Sequence, residues 1–281
     1  MDKIALITDS TSDLDKKTID KYNIKVLPLR IVYKDKEYVD RVNITPKEVY
    51  DNLHIEVPHT SLPSMEDIEN LFLKLEKEEY THAIVVPISS GLSGTYNTLK
   101  LVSENHTQLK TTIFDSKSLT LGAGAIVIKC AELMESGKSY KEIVEMLPKI
   151  RDSISVYYIV DTLKYLIKGG RIGKVSGTVG ELLNLKPIIS IDSEGIYYTY
   201  TKVRGKKKAL STLFEISTNI LESNKCRIWV MHGGAEEEGL KFYESFKNLK
   251  NITHLGFGDI SPVAGVHTGP GLIGIAIMKE L

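Results

Sequence analysis

Residues 83–88 form an apolar run rich in β-branched side chains, and the seven positions that follow reverse the pattern. From Ser89 to Thr95 every residue except Leu92 is Ser, Thr or Gly. The first run predicts a buried strand and the second a turn. Tyr96, Leu99 and Val102 then recur at helical spacing, so the hydroxyls of Ser89, Ser90, Ser93 and Thr95 gather between a strand end and a helix N-terminus. Unpaired backbone N–H groups and the positive end of the helix dipole lie in the same place, which makes the turn a candidate seat for an anion. Ser and Thr serving only as caps, and Gly only as turn formers, would give the same pattern.

The same alternation runs through the first half of the chain. Strands are expected at residues 3–8, 24–33, 83–88 and 111–114, and helices at 14–22, 46–53, 64–75, 96–102, 119–136 and 139–147. Thr45-Pro46-Lys47-Glu48 reads as a capping box with Pro in the first turn, Gly137 as a helix stop, and His59 to Ser64 as a loop carrying three hydroxyls. Asp9-Ser10-Thr11-Ser12-Asp13 is a second cluster of small polar residues at a strand end. This alternation predicts a parallel sheet covered by helices. The pattern changes near Arg151-Asp152, where a domain boundary is expected, giving an α/β domain over residues 1–152 and a mixed α+β domain over 153–281. In the second part strands are expected at 154–160, 187–192, 196–203, 227–231, 253–257 and 272–278. Ser193-Glu194-Gly195 should turn a hairpin between two of them. Helices are expected at 163–168, 207–223 and 235–247.

Charge narrows the partners. Thirty-six basic and 36 acidic residues cancel in a chain of 281, so nothing global attracts nucleic acid or an anionic surface. The two cysteines, Cys130 and Cys226, show no metal-ligand spacing and read as reduced thiols of a cytoplasmic protein. The chain opens on a strand and no apolar run approaches about 18 residues, so neither a signal peptide nor a membrane span is expected. The histidines show no paired spacing, and no metal site is expected.

Six motifs in order resemble the DegV family over nearly the full length. They are Thr8-Asp9-Ser10-Thr11, Thr60-Ser61-Leu62-Pro63-Ser64, the run from Ser89 to Asn97, Gly169-Gly170-Arg171-Ile172, Lys202-Val203-Arg204-Gly205-Lys206-Lys207 and His267-Thr268-Gly269-Pro270-Gly271. The resemblance implies a two-domain carrier without cofactor or catalysis of its own, which buries a long-chain fatty acid between its domains. It also implies that the carrier presents the acid to a separate kinase subunit making acyl phosphate for phospholipid synthesis. Carried over by position, Ser93 with Gly94, the Thr60-Ser61 loop and His267 would surround the carboxylate, while Arg171 and Arg204 would meet the kinase. Leu62 stands where the family commonly has Gln, which leaves open whether Thr60 or Ser61 is the ligand. A rival reading is a serine hydrolase: Gly91-Leu92-Ser93-Gly94-Thr95 lies at a strand-to-helix turn, and Ser93, Asp259 and His267 follow the chain order of an α/β-hydrolase triad. Against it, Thr95 replaces the last Gly of the motif.

Overall fold

The structure is a computed structural model and describes residues 2–178 and 185–281. The first half runs β1 (Ile4–Asp9), a 3₁₀ turn (Ser10–Ser12), α1 (Lys16–Tyr22), β2 (Lys25–Leu27), β3 (Arg30–Val32), β4 (Glu37–Val39) and α2 (Pro46–Asn52). It continues with β5 (His59–Ser61), α3 (Met65–Lys77), β6 (His82–Val86), α4 (Thr95–Ser103), β7 (Lys110–Ile113), α5 (Thr120–Glu135) and α6 (Tyr140–Asp152). The second half runs β8 (Ile154–Ile159), α7 (Lys164–Lys168), β9 (Leu185–Ile191), β10 (Tyr197–Arg204), α8 (Lys206–Ser223), β11 (Cys226–Gly233) and α9 (Glu236–Glu244). It ends with β12 (Ile252–Asp259), α10 (Pro262–Thr268) and β13 (Leu272–Lys279).

Strands β2-β1-β6-β7 form a wholly parallel sheet. Its central strands are apolar on both sides because helices cover both faces. Ala5, Ile7 and Val85 pack on α3 and α4, whereas Leu6, Ile84 and Val86 face α5. The second sheet, β10-β9-β8-β13-β11-β12, is antiparallel except for the β11–β12 pair. Its outer face carries α8 and α9. Its inner face packs Val156, Tyr158, Trp229 and Met231 into the same core as α5. The molecule is therefore an α/β unit and a mixed-sheet unit that share one apolar seam along α5.

Three expectations change. The predicted strand at residues 24–33 divides at Pro28, which has no N–H to donate to a ladder. Its first part joins the parallel sheet, and its second pairs with β4 and β5 in a small antiparallel sheet. The expected loop at His59 is thus an edge strand, with Ile31 opposite Thr60. Helix α6 also runs through Pro148 to Asp152 instead of ending before it. Among the described residues no helix is long and apolar enough to cross a membrane.

Gly122 and Gly124 let α5 approach its neighbours closely. A Cβ at Gly124 would sit 2.4 Å from the Ser12 carbonyl oxygen, and one at Gly122 2.4 Å from Val156 Cγ2. The first of these contacts meets backbone and cannot be relieved by a rotamer change. Gly124→Ala should therefore cost about 1–3 kcal/mol of stability in chemical denaturation. A loss below about 0.5 kcal/mol would mean that the turn at Ser12 yields freely.

Candidate functional site

The ends of β1 and β6 are tied together by one buried carboxylate. Asp9 accepts hydrogen bonds from the Thr11 N–H and hydroxyl and, with its other oxygen, from the Ile88 N–H at 2.7 Å. The Ser10 hydroxyl oxygen accepts the Leu29 N–H. The polar run 9–13 is therefore a buried 3₁₀ turn and a loop anchor, with Thr11 left on the wall of a cleft.

Across that cleft, Thr60 Oγ1 lies 2.8 Å from His267 Nε2. His267 stands in the last turn of α10. The other imidazole nitrogen, Nδ1, is buried and has no hydrogen-bond partner among the described residues. It abuts Gly169, where a Cβ would come within 2.1 Å of it. Burial, and then the charge of Arg171, push His267 down to about 4, so the ring is neutral near pH 7. Arg171 donates from Nη1 to the Gly169 carbonyl at 2.7 Å and from Nε to the Leu92 carbonyl at 3.4 Å. It thus lines the cleft beside Thr60, Ser93 and His267.

Ser93 reaches the cleft from the turn before α4. Its Oγ is 2.8 Å from Thr95 Oγ1 and accepts the Thr95 N–H at 3.3 Å. Gly94 is the N-cap of α4, and the Leu62 side chain packs over it, bringing the two hydroxyl-bearing loops together. Ser61, one residue along the strand from Thr60, is exposed and is not part of the cleft wall. The remaining serines of the turn brace it. Ser89 donates to the Gly195 carbonyl at 2.8 Å, and Ser90 bonds Asp115. Gly195 has a positive φ and no room for a Cβ against Ser89, which explains the glycine in the β9–β10 hairpin. Arg204 is exposed at the end of β10, outside the cleft.

The cleft spans about 460 Å³, open solvent at its mouth included, and shares Leu119, Tyr197 and Ala264 with a second space of about 310 Å³ counted in the same way. That cavity runs inward between Val156, Tyr158, Met231 and Leu272, and it is narrow, a slot more than an open void. One end of the combined space is hydroxylated and basic, and the other is apolar. Sequence reading missed Thr11, Tyr197 and Tyr158 as wall residues, since each sits in a turn or strand with an ordinary pattern.

The hydrolase triad is not assembled. His267 bonds Thr60 and Ser93 bonds Thr95, while Asp259 pairs with Arg41. Asp259 lies before the N-terminus of α10 and His267 in its last turn, so the helix separates them by roughly 10 Å. Among the described residues no group of three or more His, Cys, Asp or Glu side chains is placed to hold a metal ion.

Comparison with known proteins places the whole chain in one family. Residues 3–280 match the family model described as an uncharacterised protein of the DegV family. A DegV domain-containing protein of Clostridium acetobutylicum is 65% identical over 280 residues, covering 100% of both chains. Among solved structures, a fatty-acid-binding DegV family protein from Thermus thermophilus superposes with a TM-score of 0.93 at 30% identity, covering 99% of this chain and 100% of that one. DegV of Bacillus subtilis, described as a fatty acid binding protein, superposes with a TM-score of 0.92 at 28% identity over 100% of each chain. From the ordered motifs, the two-sheet architecture and these matches, the chain belongs to the DegV family.

Proposed function

We propose that the protein binds one long-chain fatty acid, with its carboxylate in the cleft and its tail in the apolar cavity, and presents the head group to a partner kinase. The observation that carries this reading is that the two spaces adjoin across Leu119, Tyr197 and Ala264, with hydroxyls and a guanidinium lining one and an apolar slot forming the other. Burying a carboxylate costs several kcal/mol unless donors replace its water. Neutral hydroxyls supply those donors without holding the anion as tightly as a full ion pair would. The tail gains about 0.8 kcal/mol per buried methylene, so roughly 14 of them contribute on the order of 11 kcal/mol before association costs. Affinity thus comes from the tail and orientation from the head.

The state of His267 decides what Thr60 can do. A buried N–H with no acceptor costs more than a buried lone pair with no donor, so the proton belongs on Nε2 and the unpartnered Nδ1 stays bare. His267 then donates to Thr60 Oγ1, and the threonine hydroxyl proton is free for a carboxylate. In the same way, donation from Thr95 to Ser93 would free the Ser93 proton. Arg171 sets a positive potential beside both. Arg204, outside the cleft, is left to meet the kinase as a cytoplasmic encounter between two proteins.

Organic extraction of purified protein followed by mass spectrometry should release a long-chain fatty acid, and a lipid-free extract from protein that also fails to bind palmitic acid would end the reading. Thr60→Val and Ser93→Ala should each weaken palmitic acid binding by about 10- to 100-fold in calorimetric titration, the effect of one hydrogen bond to a charged group. Arg204→Ala should leave that affinity within twofold or so while reducing kinase-dependent acyl phosphate formation; an equal loss in both assays would remove Arg204 from the partner surface. For pH, the depressed His267 value means that its stabilising contribution is complete above about 6.5 and is lost as pH falls toward about 4. Between those limits the ligand-free protein should lose roughly 3 kcal/mol more stability than His267→Gln does. Asp13 and Asp40, pushed up by burial to about 7 and about 6, act in the opposite sense over the same range. The wild-type-minus-variant difference, measured by urea denaturation, is therefore the quantity to follow.

A further inference from the structure

Strands β8 and β9 pair only as Tyr157 with Ser190 and Tyr158 with Ile189, although β8 begins at Ile154 and β9 runs on to Ile191. Beyond the last pair the two strands part, and side chains fix the gap between them. The Ser190 hydroxyl donates to the Val156 carbonyl at 2.8 Å, where no ladder pair continues. Lys117 Nζ donates to the Ser193 carbonyl and Ser89 to the Gly195 carbonyl, which ties the turn of the β9–β10 hairpin to the first half of the chain. The gap spans about 520 Å³, open solvent at its mouth included, and its surface is mostly polar. Ser116, Ser118, Ser155 and Ser190 bring hydroxyls to its wall, and Lys117 and Arg151 bring positive charge. No carboxylate lies among the described residues of that wall. The gap touches the apolar slot only through Val156 and has no residue in common with the cleft of Thr60, Ser93 and His267.

Both cations keep donors to spare. Arg151 meets the exposed Asp152 beside it through Nε and Nη2, and its guanidinium carbon stands 5.5 Å from the centre of the Phe114 ring. That arrangement holds the guanidinium in place without engaging Nη1. Lys117 has given one of its N–H groups to Ser193 and retains the others. The neighbouring carboxylates are already committed: Asp115 accepts from Ser90 and from the Lys117 N–H, and Asp192 from Lys174 and the Glu194 and Ile196 N–H groups. Two like charges on the wall of one partly enclosed gap raise each other's energy, and an anion there removes that cost while taking the spare N–H groups. A phosphoryl group carries close to two negative charges at neutral pH and so matches two cations, where a single carboxylate matches one. Ser190, whose proton goes to Val156, offers an acceptor for a ligand hydroxyl. We propose that the gap between β8 and β9 is a second ligand site that takes a phosphoryl oxyanion, as inorganic phosphate or as a small hydroxylated phosphate monoester such as a sugar phosphate, held by Arg151 and Lys117.

The test is calorimetric titration of the full-length protein, in about 0.15 M sodium chloride so that loosely held surface ions are screened, with inorganic phosphate, ribose 5-phosphate, ribose and succinate. At least one phosphoryl compound should bind about tenfold or more tightly than succinate, and ribose should not bind. Ribose 5-phosphate binding more tightly than phosphate identifies the ligand as an ester; equal binding identifies it as the free ion. Arg151→Gln and Lys117→Gln should each weaken the phosphoryl ligand by about tenfold or more, the effect of losing a hydrogen bond to a charged group. Arg151→Gln carries the comparison should Lys117→Gln fail to fold by circular dichroism, since Arg151 bonds only its exposed neighbour. Arg171→Gln, which removes the cation of the separate cleft, should leave phosphoryl affinity within about twofold. The proposal is overturned by the absence of phosphoryl binding tighter than about 10 mM, by succinate binding as tightly, or by affinity that is unchanged in Arg151→Gln. Loss of binding in Arg171→Gln would place the anion in the cleft and overturn it as well. None of these results bears on palmitic acid binding, so the fatty-acid reading stands or falls by its own experiments.

Discussion

The hydrogen bond between Thr60 and His267 joins an edge strand of the small antiparallel sheet to the last turn of α10, 207 residues away in the chain. The position of this pair depends on what fixes each partner. The strand is held by β3, and the helix is held at its opposite end by buried carboxylates. Asp13 accepts the Ser261 N–H at 2.8 Å and Asp40 accepts the Val263 N–H at 3.1 Å, both in the first turn of α10. Arg41 bridges Asp13 and Asp259. Anionic groups at a helix N-terminus are favourable, but here they are also buried, which is why both carboxyls sit well above their ordinary range. The helix is thus anchored at one end by acids from the first half of the chain and at the other carries a neutral base into the cleft.

That arrangement also limits the positive charge in the cleft. A protonated His267 beside Arg171 would place two positive charges in a largely dry space, and burial together with Arg171 keeps the ring neutral instead. Arg171 spends two of its N–H groups on the Gly169 and Leu92 carbonyls, which locks the guanidinium against the two turns bearing His267's neighbour and Ser93. Gly169 completes the logic, since any side chain there would displace the imidazole. The glycine pair that follows α7 is therefore an imidazole seat as well as a helix stop.

Much of this was legible in the sequence because the parallel sheet and its helices obey local periodicities. The apolar run before Ser89, the capping box at Thr45 and the hairpin turn at Gly195 each announce themselves within a few residues. What local pattern could not show were the features made by partners distant in sequence. His59 to Ser61 has no strand signature of its own and becomes a strand because β3 offers it an open edge. The serine run was readable as a ligand loop, yet only contacts with Gly195 and Asp115 separate the bracing serines from Ser93. Thr60 and Ser61 were indistinguishable until strand alternation put one on the cleft and the other in solvent. Arg171 was assigned with Arg204 to the kinase contact by resemblance, whereas in the fold it lines the cleft.

The cavity was the least legible feature, for a reason that bears on how it works. Its wall takes Leu119 and Thr120 from the start of α5, Val156 and Tyr158 from β8, Met231 from β11 and Ala264 from α10, each with an ordinary core pattern in its own element. A slot of this kind arises because α5 is pulled tight against the 3₁₀ turn and β8 at Gly122 and Gly124. Small residues on α5 therefore shape the ligand space from outside it, and enlarging one of them would be felt first as strain in the fold and only then in the cavity. The apolar slot and the polar cleft are consequently set by different physics: packing density in one, hydrogen bonding in the other. They meet at Leu119, Tyr197 and Ala264, so a substitution at any of those three residues should couple the two ends in a way that changes deeper in either space would not.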